Sequence, residues 1–109
     1  MSKFTRFIGS NGQFYFNFKA SNGEKVLTSE GYTTSSSRDN GIQSVRDNAP
    51  FDIRYDRRIA RDNRDYFVLK AANGQIIGTS ETYNSKQAME NAIALIKRDA
   101  PTAPVVEQN

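Results

Sequence analysis

The sequence predicts an α+β fold built twice over: two like units, each running strand, hairpin, helix, strand, related by a pseudo-twofold axis. Three observations carry that reading. Residues 3–50 lie over residues 54–101 without a gap, with 16 identities in 48 positions, where ordinary composition gives about 3. Phe14, Phe16 and Phe18 alternate with Tyr15, Asn17 and Lys19, the period of a half-buried strand. A helical stripe of apolar residues ending in Ala-Pro closes each copy. Copies that match without a gap can pack through one interface seen from each side.

The elements follow in order. Phe4, Arg6 and Ile8 alternate with other residues as a first strand, and Tyr55, Arg57 and Ile59 repeat it. The Phe14–Lys19 strand comes next, then Ala20-Ser21-Asn22-Gly23, with Ala71-Ala72-Asn73-Gly74 in the second copy. Asn-Gly supplies the positive φ that a tight hairpin requires. The returning strands are 24–29 and 75–80, and the adjacent apolar pairs Val26-Leu27 and Ile76-Ile77 leave their facing open. Thr33-Thr34-Ser35 and Asn84-Ser85 offer N-cap side chains for helices near 35–48 and 85–99. The helices would bury Ile42, Val45, Ala49 and Ile93, Ile96, Ala100, spaced i, i+3, i+7. Pro50 and Pro101 stop them, because proline disfavours helical backbone in the residue before it. Short strands are predicted after each proline, over 51–55 and 104–108. The first runs straight into the second copy with no Gly/Ser linker, so the halves are coupled within one domain, residues 1–109.

Composition narrows the function. A copy of about 50 residues is marginal alone, so each half needs the other's core. The sequence has no Cys and no His. That removes disulfides, thiolate sites, the usual general base near neutral pH and the commonest metal ligand. No cofactor or metal is expected. No apolar run approaches the ~20 residues of a membrane span, and no apolar segment follows the first residues as in a secretory signal; a soluble cytoplasmic protein is expected. Net charge is +3 with both signs scattered. Residues 52–65, five Arg against four Asp, read as a solvated edge with local ion pairs.

These landmarks together resemble the YegP-like family, bacterial proteins of uncharacterised function built from one or two such repeats. The resemblance covers essentially the whole chain. It rests on Phe-Tyr-Phe-Asn-Phe-Lys-Ala (14–20), the Asn-Gly turns, the Thr-Ser-Glu-x-Tyr segments at 28–32 and 79–83, Asn40-Gly41-Ile42-x-Ser44-Val45, and the Ala-Pro helix ends. Order and spacing, seen twice, make it specific. The second helix departs, with Asn91-Ala92-Ile93 where the first has Asn40-Gly41-Ile42. The resemblance implies tandem β(3)-α-β units in a single, mainly antiparallel sheet with two helices, each unit's C-terminal strand exchanged into the other. It implies no activity, ligand or catalytic residue.

Several residues invite a functional reading. Glu30 and Glu81 suggest paired carboxylates, which need separations under ~10 Å for acid–base work; bonding to nearby backbone or a helix N-terminus is the plainer role. Ser29, Ser80 and Ser35-Ser36-Ser37 have no His to activate them. Asn40 and Asn91 lie in helix interiors, about 170° from the apolar stripe, where asparagine costs roughly half a kcal/mol relative to alanine. Common inheritance, a swapped strand or a ligand would each account for them. If helices cover one side of the sheet, Tyr15, Asn17 and Lys19 with Tyr66 and Lys70 line the other. Aromatics interleaved with cations on a bare sheet stack bases and hold phosphates, although tyrosine is also simply a good strand residue. The expectation is a small monomeric binding or interaction module, not an enzyme, with partner unknown; single-stranded nucleic acid is the alternative.

Overall fold

Period-two alternation becomes two three-stranded meanders. In the computed structural model, which describes residues 1–108, β1 (Lys3–Ile8), β2 (Phe14–Lys19) and β3 (Lys25–Ser29) form the first. The second is β4 (Tyr55–Ile59), β5 (Asp65–Lys70) and β6 (Ile76–Ser80). They join edge to edge, and β7 (Val105–Glu107) completes one seven-stranded sheet in the order β4-β5-β6-β3-β2-β1-β7. All pairings are antiparallel except that of β7, which runs parallel to β1. At the centre Thr28 faces Thr79, its own repeat equivalent, so the pseudo-twofold axis passes between β3 and β6.

Turn chemistry explains the meanders. Gly23 and Gly74 both have φ +87, a conformation that costs glycine nothing. The returning strands are irregular: the register shifts between Phe18 and Lys19 and again between Leu69 and Lys70. This bulge settles the facing left open above. Val26 and Leu27, successive residues, both enter the core, and so does Ile77, while Ile76 stands opposite Lys70.

The helices are α1 (Ser35–Asn48) and α2 (Lys86–Asp99). Thr34 Oγ1 accepts from Ser37 N–H at 3.0 Å and Ser85 Oγ from Ala88 N–H at 3.1 Å. Ser85 is thus the cap, and α2 begins one residue later than predicted. Ile42, Val45, Ile93 and Ile96 pack against Phe4, Phe16, Phe18, Leu27, Phe67 and Leu69 in one cluster spanning both repeats. Both helices therefore cover the same sheet face.

The exchange of strands is observed, with one correction. After α2 a 3-10 turn (Ala100–Thr102) leads into β7, within the predicted 104–108, which lies on β1 of the other repeat. After α1 the predicted strand over 51–55 is not a separate strand. Asp52–Arg54 is a 3-10 turn and the chain enters β4 at Tyr55. The physical reason is economy of sequence. The repeat equivalents of Val105–Glu107 are Arg54, Tyr55 and Asp56, which already begin the second unit's first strand.

Candidate binding face

Strand register sorts side chains between the two faces. Phe16 and Phe18 look toward the helices, so Tyr15, Asn17 and Lys19 look away, as do Tyr66, Val68 and Lys70. No element among the described residues covers that second face. Its central row crosses the whole sheet: Asp56, Val68, Thr79, Thr28, Asn17, Thr5 and Val106 are successive cross-strand neighbours.

The five residues read from the sequence share this face but do not converge. Because β2 and β5 are antiparallel across the axis, Tyr15 lies on one side of the central row and Tyr66 on the other. Lys70 shares Tyr15's side, while Lys19 shares Tyr66's. The two halves also differ chemically. In the second repeat Asp56 takes hydrogen bonds from Arg58 and then Lys70, which hold its carboxyl below the usual range. In that half both cations are paired with one acid.

In the first repeat the residue equivalent to Asp56 is Thr5, and the cations have no such partner. Lys3 pairs in register with Lys19, and Lys19 with Lys25, so three lysines stand side by side on adjacent strands. Lys19 Nζ donates to Gln108 Oε1 at 3.3 Å, a bond that crosses β1. None of the three is in an ion pair among the described residues. Beside them Thr5 and Asn17 are buried, yet Thr5 Oγ1 and Asn17 Oδ1 have no hydrogen-bond partner. Beyond that polar pair, Phe7 and Tyr15 stack at 5.5 Å and 12°. Tyr15 Oη also accepts from Asn11 Nδ2 at 3.0 Å. The half-face thus carries three bands, cationic, polar and aromatic, with about 13 Å between the outer two at four strand residues.

The remaining candidates fall elsewhere. Glu30 and Glu81 lie two residues to opposite sides of the Thr28–Thr79 pair, so they are separated by roughly 13 Å along the strands alone. Both are exposed. Each sits near a tyrosine whose hydroxyl is pushed up, Tyr32 by burial and then Glu30, Tyr83 by burial and then Glu81. Asn40 and Asn91 are exposed on their helices; Asn91 Oδ1 accepts from Gln87 Nε2 at 2.9 Å. Gly41 has a packing role, since a Cβ there would lie 2.5 Å from the Tyr32 hydroxyl oxygen. Lys3, Lys25, Thr5 and Phe7 were missed from the sequence. Their only signal is cross-strand register with Lys19, Asn17 and Tyr15, which requires the pairing partners to be known.

Comparison with known proteins agrees with this architecture. A domain of unknown function, DUF1508, matches the chain twice, over residues 10–56 and 60–107. A UPF0339 protein of Bordetella pertussis is 48% identical over 108 residues, 99% of this chain and 97% of its own. The UPF0339 protein YegP of Escherichia coli is 47% identical over 100 residues, 92% of this chain and 90% of its own. The solution NMR structure of E. coli YegP, described as a protein of unknown function, gives a TM-score of 0.92 at 43% identity, covering 98% of this chain and 92% of that one. That of a Shewanella oneidensis UPF0339 protein gives 0.91 at 43% identity, covering 97% and 90%.

Proposed function

The chain belongs to the DUF1508 family in its two-repeat form, and on that footing we propose that it is a small non-enzymatic binding module whose ligand is an anion held on the helix-free sheet face. The observation that carries this reading is the Lys3–Lys19–Lys25 row. Like charges directly opposite on neighbouring strands are destabilising, by roughly 0.2–1 kcal/mol a pair. The other repeat has no such row, since Ile76 stands opposite Lys70 and Asp56 pairs with that lysine, whereas this one keeps three cations without an acidic partner among the described residues. A bound anion would relieve the repulsion and add charge-assisted hydrogen bonds. The sequence contains neither Cys nor His, which supports binding over catalysis.

A second reading, single-stranded nucleic acid, is favoured by the Phe7–Tyr15 stack lying across the polar band from the lysines. Bases would stack on the aromatics while phosphates meet the lysine row. The experiment is a titration of a fluorescent single-stranded oligonucleotide and, separately, of inorganic polyphosphate, against wild type, Lys3→Gln/Lys19→Gln/Lys25→Gln and Tyr15→Ala. If three phosphates are neutralised, log affinity for the oligonucleotide should fall with log salt at a slope of about −2. Loss of both ligands in the lysine variant supports the anion site. Loss of the oligonucleotide alone on Tyr15→Ala selects the second reading. Binding of neither ligand by wild type at low salt removes the proposal.

A further inference from the structure

The stripe that packs α1 against the sheet carries one residue out of character. Arg38, a turn before Ile42, is buried with 6% exposure. Its counterpart on α2 is Met89, buried with 2%. A charge at an apolar position is costly unless its hydrogen bonds are met. Here they are met only in part. Arg38 Nε donates to Asp39 Oδ1 at 3.3 Å, and the guanidinium lies 5.3 Å from the centre of the Phe14 ring. Nη1 and Nη2 have no hydrogen-bond partner among the described residues, which leaves four of the five N–H donors unused.

Arg38 lines a cavity of about 540 Å³ together with Arg6, Phe7, Ile8, Phe14 and Glu107, a volume within the range of small-molecule sites. The corresponding hollow of the second repeat measures about 190 Å³ and is lined by Arg57, Arg58, Ile59, Asp65 and Met89. Three differences separate the two: Arg38 against Met89, Phe14 against Asp65 and Phe7 against Arg58. The first cavity therefore combines an unused guanidinium fork with aromatic side chains. The second has no aromatic lining, and its guanidiniums are paired with Glu90 and Asp56.

The acids beside the first cavity face Arg6. Asp39 Oδ1 accepts from Arg6 Nη1 at 3.2 Å, and Glu107 pairs with Arg6 Nη2. With Arg38, the site holds two cations and two acids and is neutral overall. A planar, singly charged carboxylate matches the remaining Nη pair bidentately. A doubly charged phosphate would meet both acids with twice the repulsion. We propose that this cavity is a second binding site, separate from the lysine row, for a small monocarboxylate with an apolar body. The carboxylate sits on Arg38 Nη1 and Nη2, and the body lies against Ile8 and Phe14.

The test titrates the full ¹⁵N-labelled chain with sodium benzoate to about 20 mM, enough to saturate a site of low-millimolar Kd. Shifts are expected at the amides of Ile8, Phe14 and Arg38 and at Arg38 Nε–H. Benzamide, of the same shape without the charge, and inorganic phosphate should each bind several-fold more weakly. Arg38→Met copies the second repeat, so it should keep a dispersed spectrum while benzoate affinity falls about tenfold. Lys3→Gln/Lys19→Gln/Lys25→Gln should leave that affinity unchanged, so this site and the lysine row fail separately. No shift around the cavity at the highest concentration overturns the proposal, as do shifts confined to Lys3, Lys19 and Lys25. Benzamide or phosphate binding as tightly as benzoate overturns it too, and so does undiminished benzoate binding by Arg38→Met. Should Arg38→Met not fold, Arg38→Lys, which keeps the charge and lacks the fork, takes its place with the same expected loss.

Discussion

Ser29 and Ser80 show what single residues of the duplicated Thr-Ser-Glu segment do. Phe16 N–H donates to Ser29 Oγ at 2.9 Å and Phe67 N–H to Ser80 Oγ at 2.9 Å. Each hydroxyl then donates to the next residue's carbonyl, Glu30 O at 2.9 Å and Glu81 O at 2.8 Å. Without the hydroxyl a buried amide loses its acceptor, so Ser29→Ala and Ser80→Ala should each destabilise by about 1–3 kcal/mol. Equal shifts in the urea midpoint are expected, because the two sites are geometric copies. The residues were visible as a repeated motif in the sequence. Their role was not, because the bond reaches across to a neighbouring strand.

Among the elements, the junction of β3 and β6 breaks the symmetry it sits on. Leu27 pairs with Ser80 and its repeat equivalent Gly78 pairs with Ser29, one step to either side of the axis. A Cβ at Gly78 would stand 3.0 Å from Leu27 Cγ, so one leucine fills space that two could not share. Gly78→Leu should therefore cost about 1–3 kcal/mol by overpacking, and Leu27→Gly should cost at least as much through the cavity it leaves. Combined, Leu27→Gly/Gly78→Leu moves the side chain to the equivalent site and should recover much of the loss. A double-mutant cycle by denaturant unfolding checks this. Strict alternation made β2 readable from its own residues. The bulge that buries both Val26 and Leu27 was not, because local pattern cannot assign two adjacent apolar residues to one face.

Across the whole molecule, the acids predict a pH response. Asp99 is held down to about 2, first by Arg98 and then by Ser2, and Asp52 to about 2 by Arg57 and then Lys97. Hydrogen bonds to Arg57 also lower Glu90. A carboxyl lowered on folding stabilises fully above its unfolded value, ordinarily 3.8 for Asp, and loses that contribution as pH falls through the folded one. With no histidine in the sequence, the thermal midpoint should be flat from pH 5 to 8, then fall between about 4 and 2. Asp99→Asn should flatten part of that fall. Circular dichroism melts across the series read both. From the common core we predict that neither half folds alone: isolated residues 1–60 should lack dispersed amide signals while monomeric, and the full chain should scatter light as a monomer. The duplication announced the unit order. It could not announce the lysine row, since partners such as Lys3 and Lys19 meet only once β1 and β2 are in register.

The seat of β7 on β1 also sets an order of events. Phe4 and Pro104 are bonded across almost the full length of the chain, and closing so long a loop is slow compared with forming the hairpins. At roughly 5–20 residues per second on the ribosome, β1 waits on the order of 5–20 s for its partner. During that interval its outer backbone is open to the same segment from a neighbouring nascent chain. Domain-swapped assembly is thus a hazard of biosynthesis, greatest on crowded polysomes and absent once β7 has closed on its own chain.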